Sequence, residues 1–222
     1  EVLNIQPQAA PNDAPERWNW DSPLLISPHN HKRLYFGSQR LWQSDDRGDS
    51  WTPISPDLTT NTNRYELEMI GRVWSVDALY DNGAMSKYAT LTGVSESPLQ
   101  EGLLYTGSDD GLINISEDGG QNWRASGKLP KVPARSFIND VEASLHDANT
   151  VFAVADAHKF GDYSPYLFIS TDRGQSWQSI AGDLPKGNIV WVIKQDHQDE
   201  NLLFIGTEFG LYFSYNLSLI HI

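Results

Sequence analysis

At 222 residues, with 39% hydrophobic side chains and 8 Trp, the chain is long enough to bury a sizeable core. Its net charge of −13 argues against nucleic acid or an anionic membrane as partner, because phosphate contacts need Lys and Arg. No run approaches the roughly 18 apolar residues of a membrane-spanning helix, and the absence of cysteine excludes disulfides and thiolate metal sites.

In chain order, residues 1–17 are rich in Pro, Ala, Asn and Gln and read as a connecting segment. Short β-runs are then predicted over 20–26, 34–38, 41–44 and 51–55, separated by turn residues. Residues 59–89 interrupt the pattern. It returns over 90–95, 104–108, 112–116 and 123–126, and again over 137–142, 151–155, 166–170 and 177–180. A fourth unit holds runs at 189–194, 203–207 and 210–214. A leading Ser27, Ser97, Ser144 or Asp196 precedes the second run at one constant spacing in all four units, which fixes the register. The units span 18–55, 90–127, 137–181 and 189–216. No window sustains helical apolar periodicity, so helices should be few.

One motif, Ser-x-Asp-x-Gly-x-x-Trp, joins the third run to the fourth in the first three units. Its copies are Ser44, Asp46, Gly48, Trp51; Ser116, Asp118, Gly120, Trp123; and Ser170, Asp172, Gly174, Trp177. The Asp accepts from backbone N–H groups of a tight turn, the Gly supplies a positive φ, and the Trp lays an apolar face over the turn. Its role is structural. Four-stranded units repeating about every 40–50 residues are the signature of a β-propeller. The expected fold is therefore all-β: a partial, open propeller of about three and a half blades, truncated from a larger one.

The motif resembles the Asp-box, or bacterial neuraminidase repeat, of sialidases, sortilin-type propellers and two-propeller xyloglucanases. A wider similarity, carried by residues 19–23, 34–37, 55–58, 95–98, 106–111, 141–144, 166–168, 181–185 and 206–214, points to secreted bacterial proteins. These have sortilin-like N-terminal propellers and are often labelled glycosyl hydrolases. The resemblance implies a secreted or periplasmic location and a parent protein holding the remaining blades and domains. Residue 1 is not Met and no leader precedes the repeats, so the start is expected to be internal or processed. Residues 217–222 abandon the fourth Asp-box and read as a tail foreign to the propeller.

Loops between second and third runs, and the crossings between units, should share the face around the central channel. That places Asp109, Asp110, Asp156, His158 and Glu208 on one side. Asp109 or Asp110 with Glu208 are the candidate carboxyl pair for glycoside hydrolysis, while Asp-Asp-Gly and Glu-Phe-Gly are also good hairpin turns. Arg40, Trp74, Asp156, His158, Tyr163 and Phe209 are ligand-binding candidates, with Phe160 a further aromatic platform. The insertion 59–89 is either a binding loop or a lid, with a short helix expected at 65–69. A sialidase site needs an arginine cluster, and Arg40, Arg72 and Arg135 form no such motif. The Arg47-Gly48-Asp49 tripeptide is dictated by the turn that contains it, and the scattered histidines have no metal-ligand spacing. No metal and no cofactor are expected. Two functional readings remain: a glycan- or polypeptide-binding surface, or a fragment of a polysaccharide hydrolase. The first is preferred because no residue set forms a specific catalytic motif.

Overall fold

The computed structural model describes residues 3–69, 71–74 and 87–217. The first sheet holds β1 (Leu24–Ile26), β2 (Leu34–Gly37), β3 (Leu41–Ser44) and β4 (Thr52–Pro53), in that spatial order. A hairpin of β5 (Glu68–Met69) and β6 (Arg72–Val73) stands apart, within the insertion. The second sheet comprises β7 (Leu91–Glu96), β8 (Leu104–Ser108), β9 (Ile113–Ser116) and β10 (Arg124–Ala125). The third comprises β11 (Phe137–Ala143), β12 (Val151–Ala157), β13 (Asp162–Ser170) and β14 (Gln178–Ser179). Three strands make up the fourth: β15 (Val190–Gln195), β16 (Leu203–Thr207) and β17 (Gly210–Ser214).

Every pairing is antiparallel, and each sheet packs on the next in sequence, inner strand beside inner strand. Among the described residues the first and fourth sheets share no packed interface, so the arrangement is an open arc of β-propeller blades. The core lies between blades. Tyr35, Leu41, Leu91 and Leu104 fill the first interface. Tyr105, Ile115, Ile138 and Val141 fill the second, and Phe152, Leu167, Ile193 and Ile205 the third.

The three motif turns are superposable in their hydrogen bonds. Gly48, Gly120 and Gly174 donate their N–H to Ser44, Ser116 and Ser170 Oγ, each at 2.8 Å. The N–H of Ser50, Asn122 and Ser176 reaches Asp46, Asp118 and Asp172 Oδ1, again at 2.8 Å each. These bonds hold the Asp46 and Asp172 carboxyls down to about 2, with the Ser50 and Ser176 hydroxyls the largest cause.

Inner strands carry a bulge at one repeated place, between Leu91 and Gly93, Ile138 and Asp140, and Val190 and Val192. The extra residue grips the following blade: Thr92 Oγ1 donates to Ile138 O at 2.7 Å, and Asn139 Nδ2 to Val190 O at 2.9 Å. In the fourth sheet the equivalent Trp191 donates instead to Glu208 Oε2 at 2.9 Å.

Several expectations are adjusted. The first strand starts at Leu24 rather than residue 20, because Asn19 accepts from the Asp21 N–H at 3.1 Å and bends the chain into a turn. The helix expected at 65–69 is a 3₁₀ turn at Arg64–Glu66 followed by β5. Asn63 Oδ1 takes the Tyr65 N–H, which caps the turn, and the extended Leu67 ends it after 3 residues. The second hairpin of the third blade is longer than expected, with strands running to Ala157 and from Asp162. Residues 3–17, read as a connecting segment, lie along the first blade: Glu16 pairs with Arg40, and Arg17 with Asp57 at 2.6 Å. Of the tail, Leu217 packs against the third-interface cluster; residues 218–222 lie outside the described residues, as do residue 70 and residues 75–86 of the insertion.

Candidate functional site

The loops between second and third strands of the second and third blades, and the crossings that lead into those blades, meet where the two blades adjoin. There they frame a cleft of about 450 Å³ lined by Tyr88, Asp109, Arg135, Phe137, Asp156 and Phe160, among others. Arg64 and Lys87 enter it from the insertion, and Lys159 from the 3₁₀ turn at His158–Phe160. A second cleft, about 320 Å³, continues toward the fourth blade along Phe137, Asp156, His158, Lys159 and Trp191. The two share Phe137, Asp156 and Lys159, so they form one trough across two blades.

Asp109 lies at its floor, 6% exposed. It accepts from Thr90 N–H at 2.9 Å and Thr90 Oγ1 at 2.8 Å, with Asn19 Nδ2 at 3.4 Å. Burial, opposed by these bonds, pushes its carboxyl up to about 6. Asp156 sits at the bulge of β12, where the register shifts between Ala155 and Ala157, and its carboxylate pairs with His158 Nδ1. The His158 ring in turn meets Trp191 edge-on, centroids 5.9 Å apart. Cations lie over two of the aromatic walls: Lys159 Nζ is 4.7 Å from the Phe137 centroid, and the Arg135 guanidinium 5.8 Å from that of Phe160.

The structure sorts the predicted residues into distinct places. Asp109, Asp156, His158 and Phe160 share the trough. Asp110, adjacent in sequence to Asp109, accepts from Thr60 N–H at 2.7 Å, Thr60 Oγ1 at 2.6 Å and Ser108 Oγ at 2.5 Å, which ties the insertion to the second blade. Glu208 is engaged by Trp191 at the fourth blade. Arg40 is held by Glu16 and lies 4.8 Å over the Trp42 ring. Trp74 takes the Arg72 guanidinium at 3.5 Å. Tyr163 and Phe209 stand exposed, at 52% and 76%. The cationic and aromatic residues of the larger cleft that sequence reasoning missed are Arg64, Lys87, Tyr88, Phe137 and Lys159. All but Phe137, on the inner strand β11, come from the insertion or from a turn peculiar to one blade, where the repeat offers no template.

Among solved structures, the chain matches an ancestral GH74 enzyme with a TM-score of 0.63 and 16% identity, over 89% of this chain and 23% of that one. It matches the GH74 enzyme of Niastella koreensis at 0.59 and 17%, over 89% and 28%. It also matches the β-propeller domain of Myceliophteria thermophila Cps50 (Swd1) at 0.58 and 14%, over 92% and 55%. At such identities the likeness establishes the β-propeller fold alone, and the chain spans only 23% and 28% of the two GH74 chains. No family model and no curated protein matches it.

Proposed function

We propose that this chain is a recognition module: a propeller arc whose trough binds an extended, negatively charged glycan or polypeptide. One observation carries the reading. On a chain of net charge −13, four cations, Arg64, Lys87, Arg135 and Lys159, line a single cleft beside Tyr88, Phe137 and Phe160, and they outnumber its three carboxyls, Glu68, Asp109 and Asp156. Cations held against aromatic faces suit a ligand that offers carboxylates along an apolar or pyranose surface. The motif turns and the wider resemblance support membership of an exported, sortilin-like Asp-box protein, whose remaining blades and domains would extend the arc.

A glycoside hydrolase is the second reading, favoured by Asp109, whose carboxyl is pushed up to about 6 by burial and which shares the cleft with Asp156. Against it, Asp109 is occupied by Thr90 and Asn19, in the manner of a structural carboxylate. Titration calorimetry with acidic and neutral polysaccharides and with acidic and neutral peptides, run beside a reducing-sugar assay, separates the two. Binding of an acidic chain without sugar release supports recognition. Sugar release abolished in Asp109→Ala and Asp156→Ala variants replaces it with hydrolysis.

A further inference from the structure

A separate cavity of about 340 Å³ lies beside the trough, lined by Arg17, Arg64 and Lys87 together with Tyr65, Tyr88 and residues 61–63. The segments around it are held by the first two blades. Leu58, at the start of the insertion, is buried, and its carbonyl accepts from Asn114 Nδ2 at 2.7 Å. Two residues on, Thr60 is tied by its N–H and its hydroxyl to the buried Asp110. On the other side Ala89 is buried, so the chain carrying Lys87 and Tyr88 enters the second blade at a fixed point.

Arg17 spans these segments. Its Nε donates to Ala89 O at 3.0 Å, and its Nη2 to Asp57 Oδ2 at 2.6 Å and Thr59 Oγ1 at 3.2 Å. Its backbone N–H is held by Gln39 Oε1 at 2.8 Å. The guanidinium is therefore preorganised, and none of these bonds uses Nη1. Asn63 caps the 3₁₀ turn Arg64–Glu66, which sets Arg64 and Tyr65 in the cavity wall. Backbone strain gathers at the same place: Asn61 and Ala89 are non-glycine residues with φ of 52° and 59°.

Charge separates this cavity from its neighbours. The larger cleft of the trough carries Glu68, Asp109 and Asp156 in its wall, and the smaller one Asp21 and Asp156. The described residues lining this cavity include three cations and no carboxyl, on a chain of net charge −13. Those cations come from three separate segments. A carboxylate offers two oxygens in one plane and is satisfied by a single guanidinium fork. A phosphate or sulfate group presents three terminal oxygens, which can be met from three sides. Tyr65 and Tyr88 supply ring faces for whatever carries that group. The volume is at the small end of ligand pockets, room for one substituted sugar ring rather than a chain.

We propose that this cavity binds a tetrahedral oxyanion, carried as the phosphate or sulfate ester of a single sugar unit. Arg17 supplies a fixed guanidinium, Arg64 a second, and Lys87 a point charge on a flexible stem. Arg64, Lys87 and Tyr88 also line the trough, so the two sites adjoin. The oxyanion site does not depend on an extended ligand in the trough, and probes one sugar long test it alone.

Lys87 is exposed and makes no hydrogen bond or ion pair among the described residues, so Lys87→Gln removes charge and leaves the fold alone. Lys186→Gln, at an exposed position that lines neither the cavity nor the trough, is the charge-matched control. Glucose 6-phosphate, glucose 6-sulfate, glucuronate and glucose are titrated calorimetrically at constant ionic strength. The expected result is that one or both esters bind about tenfold or more tightly than glucuronate, with no binding of glucose. The tighter ester identifies which oxyanion the site takes. Lys87→Gln weakens that binding about tenfold, and Lys186→Gln leaves it unchanged. No binding of either ester, glucuronate bound as tightly as the esters, or an ester affinity that survives Lys87→Gln overturns the proposal.

Discussion

The indole N–H of Trp123 donates to the carbonyl of Ile54 at 2.9 Å, so the residue that closes the second blade's turn is anchored on the end of the first. The second blade's motif thus acts twice, folding its own hairpin and registering it against the neighbouring blade. The third copy differs: Trp177 Nε1 is buried and has no hydrogen-bond partner among the described residues.

That difference predicts unequal costs for the same substitution. Trp123→Phe loses a hydrogen bond as well as ring area, whereas Trp177→Phe loses area alone and relieves a buried donor. The first should cost about 1 kcal/mol more than the second, the worth of one such bond. Urea midpoints of the two variants, compared with the unmodified chain, check this; equal losses would contradict it.

Two histidines make a second set of ties between blades. His29 donates from Nε2 to Ser97 O and His146 to Asp196 O, each at 2.8 Å. Replacing either with Ala should cost about 1 kcal/mol in stability. Because they serve different interfaces, the double variant should lose the sum of the two. A marked departure from additivity in a double-mutant cycle would place both in one unit.

Acid should loosen the motif turns. Asp46 and Asp172 are held at about 2, below the ordinary 3.8, so the folded chain keeps them ionised where the unfolded chain takes up protons. Their contribution is complete above the ordinary value and is lost as pH falls through it toward 2. Asp172→Asn should flatten the decline of the urea midpoint across that window. An unchanged slope would assign acid sensitivity to other groups.

Asp109 works in the opposite sense. Its carboxyl is raised from 3.8 to about 6, so the unfolded chain releases its proton first and stability falls as pH rises between those values. The loss is at most about 3 kcal/mol, and Asp109→Asn, which preserves an acceptor for the Thr90 N–H, should abolish most of it. Stability measured on both sides of the window in the two proteins decides the matter.

The repeat explains how much could be read before the structure. Second and third strands were legible because their apolar runs and the motif recur at constant spacing, as at Leu104–Ser108 and Ile113–Ser116. The division of labour between Asp109 and Asp110 was not. It is set by Thr90 and by Thr60, the latter 50 residues away, across a contact that no local pattern encodes. Lys159 was hidden for a similar reason, since its turn belongs to one blade only. Ile5 accepts from Trp51 Nε1 at 2.6 Å as Ile54 does from Trp123 Nε1 at 2.9 Å, and the match of Ile5-Gln6-Pro7 to Ile54-Ser55-Pro56 was a usable signal, but composition alone made residues 1–17 look like a linker.

The trough is tested most directly by reversing its charge. Arg135→Glu/Lys159→Glu is titrated beside the unmodified chain with polygalacturonate and with a polyglutamate peptide, at low and high salt. Binding of either probe that weakens about tenfold or more in the variant, and that falls with salt in the unmodified chain, is the predicted result. Equal affinity of the two proteins, or no binding of either probe, would contradict the recognition role assigned to this face.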